Sequence, residues 1–131
     1  MLLVPGIRIR SADGDEYPQL MQGKIDTGAS RTVVPTTVLD HFQSPVRNFT
    51  LTQLADETIP PRRLPIQPLV IECPGVLSLE LVVAAMPRRN VLLGMDFLSH
   101  VYLATNGRRM TLGKGITTRI ATGVLRFVGL T

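Results

Sequence analysis

The sequence contains no tryptophan, two tyrosines, four phenylalanines and a single cysteine. One thiol excludes an intramolecular disulfide framework and is compatible with a reducing compartment. Cys73 stands beside Pro74 and Gly75 with no histidine near it in the chain, so it reads as a half-buried structural thiol and not a nucleophile. Long apolar runs are also missing. The longest, Val76 to Met86, is interrupted by Ser78 and Glu80 and is far too short to cross a membrane. Met1 to Arg8 shows no basic segment followed by an apolar one, so no signal peptide is read there. The expectation is a cytoplasmic or intracellular location, for a chain standing alone or as a domain of a larger protein. His41 and His100 lack metal-ligand spacing, and neither a metal nor any other cofactor is expected.

What is present points to an ordered β protein. An apolar fraction of 44% against 18% charged residues excludes a disordered chain. With 131 residues, the chain (1–131) is read as a single domain, too short for two lobes. Abundant Val, Ile, Leu and Thr, with 11 Gly and 10 Pro, predict many short strands and turns: an all-β domain with one or two short helices. Fourteen basic residues against ten acidic give a net charge of +4. The arginine pairs 62–63, 88–89 and 108–109 are dispersed and lack interleaved aromatics, so they read as solvated turns and strand edges, and nucleic acid is not an expected partner.

Residues 2–10 predict a strand interrupted at Pro5-Gly6, and Asp13-Gly14 predicts the hairpin turn that sends the chain back through Tyr17 to Ile25. Thr32 to Val34 is extended, and a short helix is expected from Thr37 to Phe42. Asn48 to Leu54 and Leu64 to Glu72 form a long hairpin with its tip in 55–62. Cys73-Pro74-Gly75 turns the chain into a strand from Val76 to Ala85. Val91 to Gly94 is a buried strand, Met95 to His100 a short helix, Asn106-Gly107 a two-residue turn, and Thr117 to Val128 a last strand.

The chemistry concentrates at Asp26-Thr27-Gly28, followed by Ala29 and Ser30. It places a carboxylate at the end of a strand, in a tight loop whose glycine lets backbone come close to it. Asp26 could be a plain turn residue, as Asp13 is read to be. Its flanks, Ile25 and Val33-Val34, argue instead for a loop held against the core. Taken with Val91-Leu92-Leu93-Gly94-Met95-Asp96-Phe97-Leu98, the segment Ile25 to Val34 resembles the retropepsin-like (retroviral-type) aspartic protease family, in the order catalytic loop, flap hairpin, Leu-Gly-x-Asp-x-Leu. The resemblance covers roughly residues 2–113.

It implies a retropepsin-like acid protease barrel that is active as a two-fold dimer, because only one Asp-Thr-Gly is present and the chemistry needs two carboxylates. Asp26 would be catalytic, Thr27 and Gly28 would shape the active-site loop, and Ala29 and Ser30 would line the cleft floor. Asp56, Thr58 and Ile59, in the flap, would contact an extended peptide or protein substrate. Thr32, Gly94 and Asp96 would brace the loop from behind. Leu2 to Ile9 and Arg119 to Val128, taken as unpaired edges, would supply the homodimer contact.

Two departures from the viral pattern stand out. The flap carries Pro60-Pro61 and no glycine between Gly28 and Gly75, where viral flap tips are glycine-rich. Met95 stands where viral members have an arginine, and Ser30 where they have its acidic partner, so the paired change leaves no charge unmatched. This points to a cellular or element-derived relative. The competing reading keeps the fold as a catalytically weak or inactive peptide-binding or dimerisation module.

Overall fold

Parallel and antiparallel pairing meet in one sheet that closes on itself. The computed structural model describes residues 3–42, 48–52, 60–105, 109–113 and 125–128. In chain order these form β1 (Leu3–Arg10), β2 (Met21–Ile25), β3 (Val33–Pro35), α1 (Thr36–Phe42), β4 (Asn48–Thr52), β5 (Arg62–Cys73) and β6 (Leu77–Met86). There follow β7 (Val91–Leu93), α2 (Met95–Leu98), β8 (Tyr102–Thr105), β9 (Arg109–Gly113) and β10 (Leu125–Val128). The main sheet runs β1-β2-β7-β3-β6-β5-β4, and β1 also pairs with β5, which joins its ends into a barrel with β4 attached outside. A second sheet, β10-β9-β8, holds the C-terminal strands.

The local causes are legible. Gly14 has φ +90°, which the turn after β1 requires, and the Gly14 N–H donates to the Ser11 carbonyl at 3.0 Å. The register of β1 against β2 shifts between Val4 and Ile7, and Gly6 there has φ +74°. This bulge changes the phase of the strand, so that Val4, Ile7 and Ile9 all face inward and are fully buried. The hairpin β5–β6 is the longest ladder, with Ile66 opposite Ala84 and Cys73 opposite Leu77. Its inner face gives Leu69, Ile71, Cys73, Val83 and Ala85 to a core completed by Val34, Val38, Leu39, Val91, Leu93 and Phe97. Each Val, Leu, Ile or Phe among them contributes about 1.5–3 kcal/mol on leaving water. α1 buries Val38 and Leu39 and exposes Asp40.

Several expectations need adjustment. β2 begins only at Met21: Glu16 makes a lone bridge to Arg10, and Leu20 is exposed. α2 ends at Leu98, short of His100. β1 is not an unpaired edge, because Leu3 to Ile7 pair with β2 and Arg8 to Arg10 with β5, the price of closing a barrel. The Asn106-Gly107 turn and most of the expected Thr117–Val128 strand lie outside the described residues; Leu125–Val128 is a strand paired with β9. Among the described residues no helix is long and apolar enough to cross a membrane.

Cys73 is fully buried rather than half-buried, and desolvation, aided by the neighbouring Glu72 charge, pushes its thiol up to about 12. The raised value means that this site favours folding below the thiol's ordinary pKa, and that the contribution is lost as pH climbs from there toward about 12. The native thiol is expected to resist a disulfide reagent at pH 8 and to react at once in denaturant; comparing the two labelling rates checks this.

Candidate active site

β2 and β7 run parallel, with Gly23, Lys24 and Ile25 opposite Val91, Leu92 and Leu93. The Asp26 N–H donates to the Leu93 carbonyl at 3.0 Å, carrying that ladder one residue further. The next strand, β3, lies on the other edge of β7, with Val33 opposite Leu92. Residues 26–32 must therefore cross over the end of β7, where Gly94 follows. A Cβ on Gly94 would lie 2.6 Å from the Arg31 carbonyl carbon, 2.7 Å from its oxygen and 3.0 Å from the Ala29 oxygen. Only glycine lets the two backbones approach this closely.

Behind the crossing is a compact polar cluster. Thr32 is fully buried, and its backbone N–H donates to Asp96 Oδ2 at 2.9 Å while its hydroxyl donates to Oδ1 at 2.7 Å. The Phe97 N–H donates to the same Oδ1 at 2.8 Å, and the Gly94 N–H donates to Thr32 Oγ1 at 3.2 Å. Two further bonds tie loop to helix: Met95 N–H to the Ala29 carbonyl at 2.8 Å, and Asp96 N–H to the Ser30 carbonyl at 3.2 Å. The Thr32 carbonyl receives the Ala84 N–H at 3.1 Å, and Arg31 Nη1 donates to the Val82 carbonyl at 2.8 Å, so β6 holds the other flank. Thr32, Gly94 and Asp96 thus meet behind the loop.

At the front, Asp26 is half-buried and Thr27, Gly28 and Ser30 are exposed. The Gly28 N–H donates to Asp26 Oδ1 at 2.9 Å, and a Cβ on Gly28 would stand 3.3 Å from that oxygen. The Ala29 N–H donates to the Asp26 carbonyl at 3.2 Å, so both backbone groups of Ala29 are used within the chain. Among the described residues, the Gly28 carbonyl and the Ser30 N–H have no such partner. No group of three or more His, Cys, Asp or Glu able to hold a metal occurs among the described residues. The flap candidates Asp56, Thr58 and Ile59 lie outside those residues. The hairpin arms are described, with Thr52 opposite Arg62 and the Arg63 guanidinium 4.2 Å from the centre of the Phe49 ring.

One residue read as a solvated turn is not one. Arg89 is exposed, but Arg88 is half-buried and its Nε donates to the Asn90 carbonyl at 2.7 Å. Burial lowers its pKa, and the Asp26 charge acts against that, favouring the guanidinium. The available signal was its place between two apolar strands, one of which runs beside the strand carrying Asp26.

Sequence comparison matches residues 19–100 to the family described as "gag-polyprotein putative aspartyl protease". The match spans more than half of the chain, which therefore belongs to this retroviral-type aspartyl protease family. No curated protein matches it. Among solved structures it is similar to the foamy viral protease-reverse transcriptase, solved in complex with an RNA/DNA hybrid, with a TM-score of 0.53 and 18% identity. That alignment covers 76% of this chain and 12% of the viral one, and the likeness is one of fold. The solution structure of Simian Foamy Virus (mac) protease matches with a TM-score of 0.47 and 18% identity over 72% of this chain and 91% of that one.

The bracing cluster predicts two stability losses. Gly94→Ala should destabilise by about 1–3 kcal/mol, since the new methyl meets backbone and not a movable side chain. Thr32→Val should lose about 1–3 kcal/mol by leaving the Gly94 N–H without an acceptor, while Thr32→Ser retains most of the stability. Urea midpoints of the three variants check both.

Proposed function

We propose that the chain is an aspartic endopeptidase whose reaction uses the Asp26 carboxylates of two copies across a homodimer axis. The observation that carries this reading is a half-buried Asp26 at a strand end, one oxygen held by the Gly28 amide, on a loop locked from behind by Thr32 and Asp96. Membership of the aspartyl protease family supports it. In aspartic proteases as a class, two carboxyls about 3 Å apart cannot both ionise cheaply and share one proton. One Asp26, ionised, would take a proton from a water held between the pair. The other, protonated, would donate a hydrogen bond to the scissile carbonyl and stabilise its developing negative charge. No covalent intermediate is needed.

The substrate would be an extended peptide added as a strand. The Gly28 carbonyl and Ser30 amide, without a partner among the described residues, are an acceptor and a donor suitably spaced on one chain for that pairing. This narrows the cleft-floor role assigned to Ala29 and Ser30, because Ala29 has no backbone group left to offer. Thr27, exposed beside Asp26, is available to bond the partner copy's loop and hold the two carboxyls coplanar.

The test is peptide hydrolysis between pH 4 and 7 on denatured protein substrates. Wild-type cleavage should follow a bell-shaped pH profile whose two apparent pKa values belong to the pair. Asp26→Asn should lower kcat by at least about a thousandfold, as loss of a general base and its partner donor implies, while the urea midpoint and sedimentation of the dimer stay unchanged. A wild-type dimer that binds peptides without cutting them would favour the module reading instead.

A further inference from the structure

The β4 arm of the hairpin carries a surface that the proposed chemistry does not use. Among the described residues β4 pairs only with β5, so its other edge is free. The ladder decides what that edge offers. The Ala84 N–H donates to the Thr32 carbonyl, away from β5, and the Val82 carbonyl is turned the same way, toward Arg31. Backbone groups alternate in direction along a strand. Ile66, opposite Ala84, therefore turns its groups toward Asn48, and Pro65 turns its carbonyl away from Phe49. It follows that Phe49 and Leu51 point their N–H and C=O outward, at the free edge. Their side chains share one face of β4 and are 46% and 73% exposed. The Arg63 guanidinium, from the residue opposite Leu51, lies 4.2 Å from the centre of the Phe49 ring. A hollow of about 420 Å³ bounded by Asn48, Phe49, Thr50, Leu51 and Arg63 follows the strand. On the hairpin's opposite face, Leu64 and Ile66 pack with Val33, Ala84 and Leu92, so the exposed patch is separate from that cluster.

We infer that the free edge of β4 is a docking site for an extended acidic segment of a partner protein, added to the sheet as a further strand. The inference stands whether or not the chain is an endopeptidase. Two outward donor–acceptor pairs, at Phe49 and Leu51, supply the main-chain bonds that such an addition needs. An open strand edge with exposed apolar side chains is a template for pairing. The sign of the partner's charge follows from the lining. Arg63 is the only charged residue along this hollow, and an adjoining one of about 360 Å³ has only Arg62 and Arg63. A segment with a glutamate beside Phe49, where Arg63 lies, and an apolar side chain beside Leu51 meets both demands. Those two positions are two residues apart on one face of the added strand.

The experiment titrates fluorescent eight-residue strand-forming peptides onto the full chain carrying Asp26→Asn, so that nothing is cut. Each peptide has one valine and, two residues away, Glu or Lys. The Glu peptide should bind about tenfold tighter than the Lys peptide, the difference between attraction and repulsion at an exposed arginine. Adding Arg63→Glu should reverse that order. Adding Leu51→Ser should weaken the Glu peptide by about tenfold, through lost apolar contact. Methylating the peptide's amide nitrogens along one edge should abolish binding, while methylating the other edge should leave it. Urea midpoints of the Leu51→Ser and Arg63→Glu chains should match that of their parent. No binding, equal binding of the Glu and Lys peptides, or binding indifferent to Leu51 and Arg63 overturns the inference. So does sedimentation in which Leu51→Ser splits a dimer, because a second copy would then cover this edge.

Discussion

A single half-buried carboxylate, Asp96, determines where the Asp26 loop can lie. Its two oxygens receive the amide and hydroxyl of Thr32 and the amide of Phe97, so that the chain after β2 and the chain after β7 close on one group. Bonds to an ionised acceptor are worth about 1.5–3 kcal/mol each, and here they act where Thr32 has no access to water. The Ala29 and Ser30 carbonyls bonded to the first amides of α2 add a second line of attachment. With the back of the loop held in this way, Asp26, Thr27 and Gly28 can remain at its front without packing of their own.

The barrel contributes through topology. The parallel pairing of β2 with β7 and of β3 with β6 sends the chain across the end of β7, and that crossing is the loop. A loop in this position has one face toward the core and one toward solvent, which is what a carboxylate needs if it is to be positioned and yet meet a substrate. The same crossing explains Gly94: its side of the contact is backbone against backbone, with no room for a methyl group.

Much of this was legible beforehand. The Asp-Thr-Gly triplet, the Leu-Gly-Met-Asp-Phe-Leu element and the hairpin between them are local patterns, and alternation with turn residues marked most strands. Other features were not. Leu20 is apolar and lies in the stretch from Tyr17 to Ile25 read as extended, yet it is exposed, because β2 starts where β7 and β1 can pair with it. β1 looked like a free edge and is paired along its length, since closure of a sheet depends on strands distant in sequence. Arg88 and Arg89 are identical in composition terms, and only the fold buries one and leaves the other in water.

The sequence by itself determined the class of structure, the loop that carries Asp26 and the residues able to brace it, because hydrophobic alternation, turn chemistry and short motifs act over a few neighbouring residues. Tertiary structure alone decided which of these residues meet. Thr32 joins Asp96, Gly94 passes beneath Arg31, and Arg88 comes within electrostatic reach of Asp26 through pairings between strands far apart in the chain. Such contacts depend on how the barrel closes, and closure is a property of all its strands together.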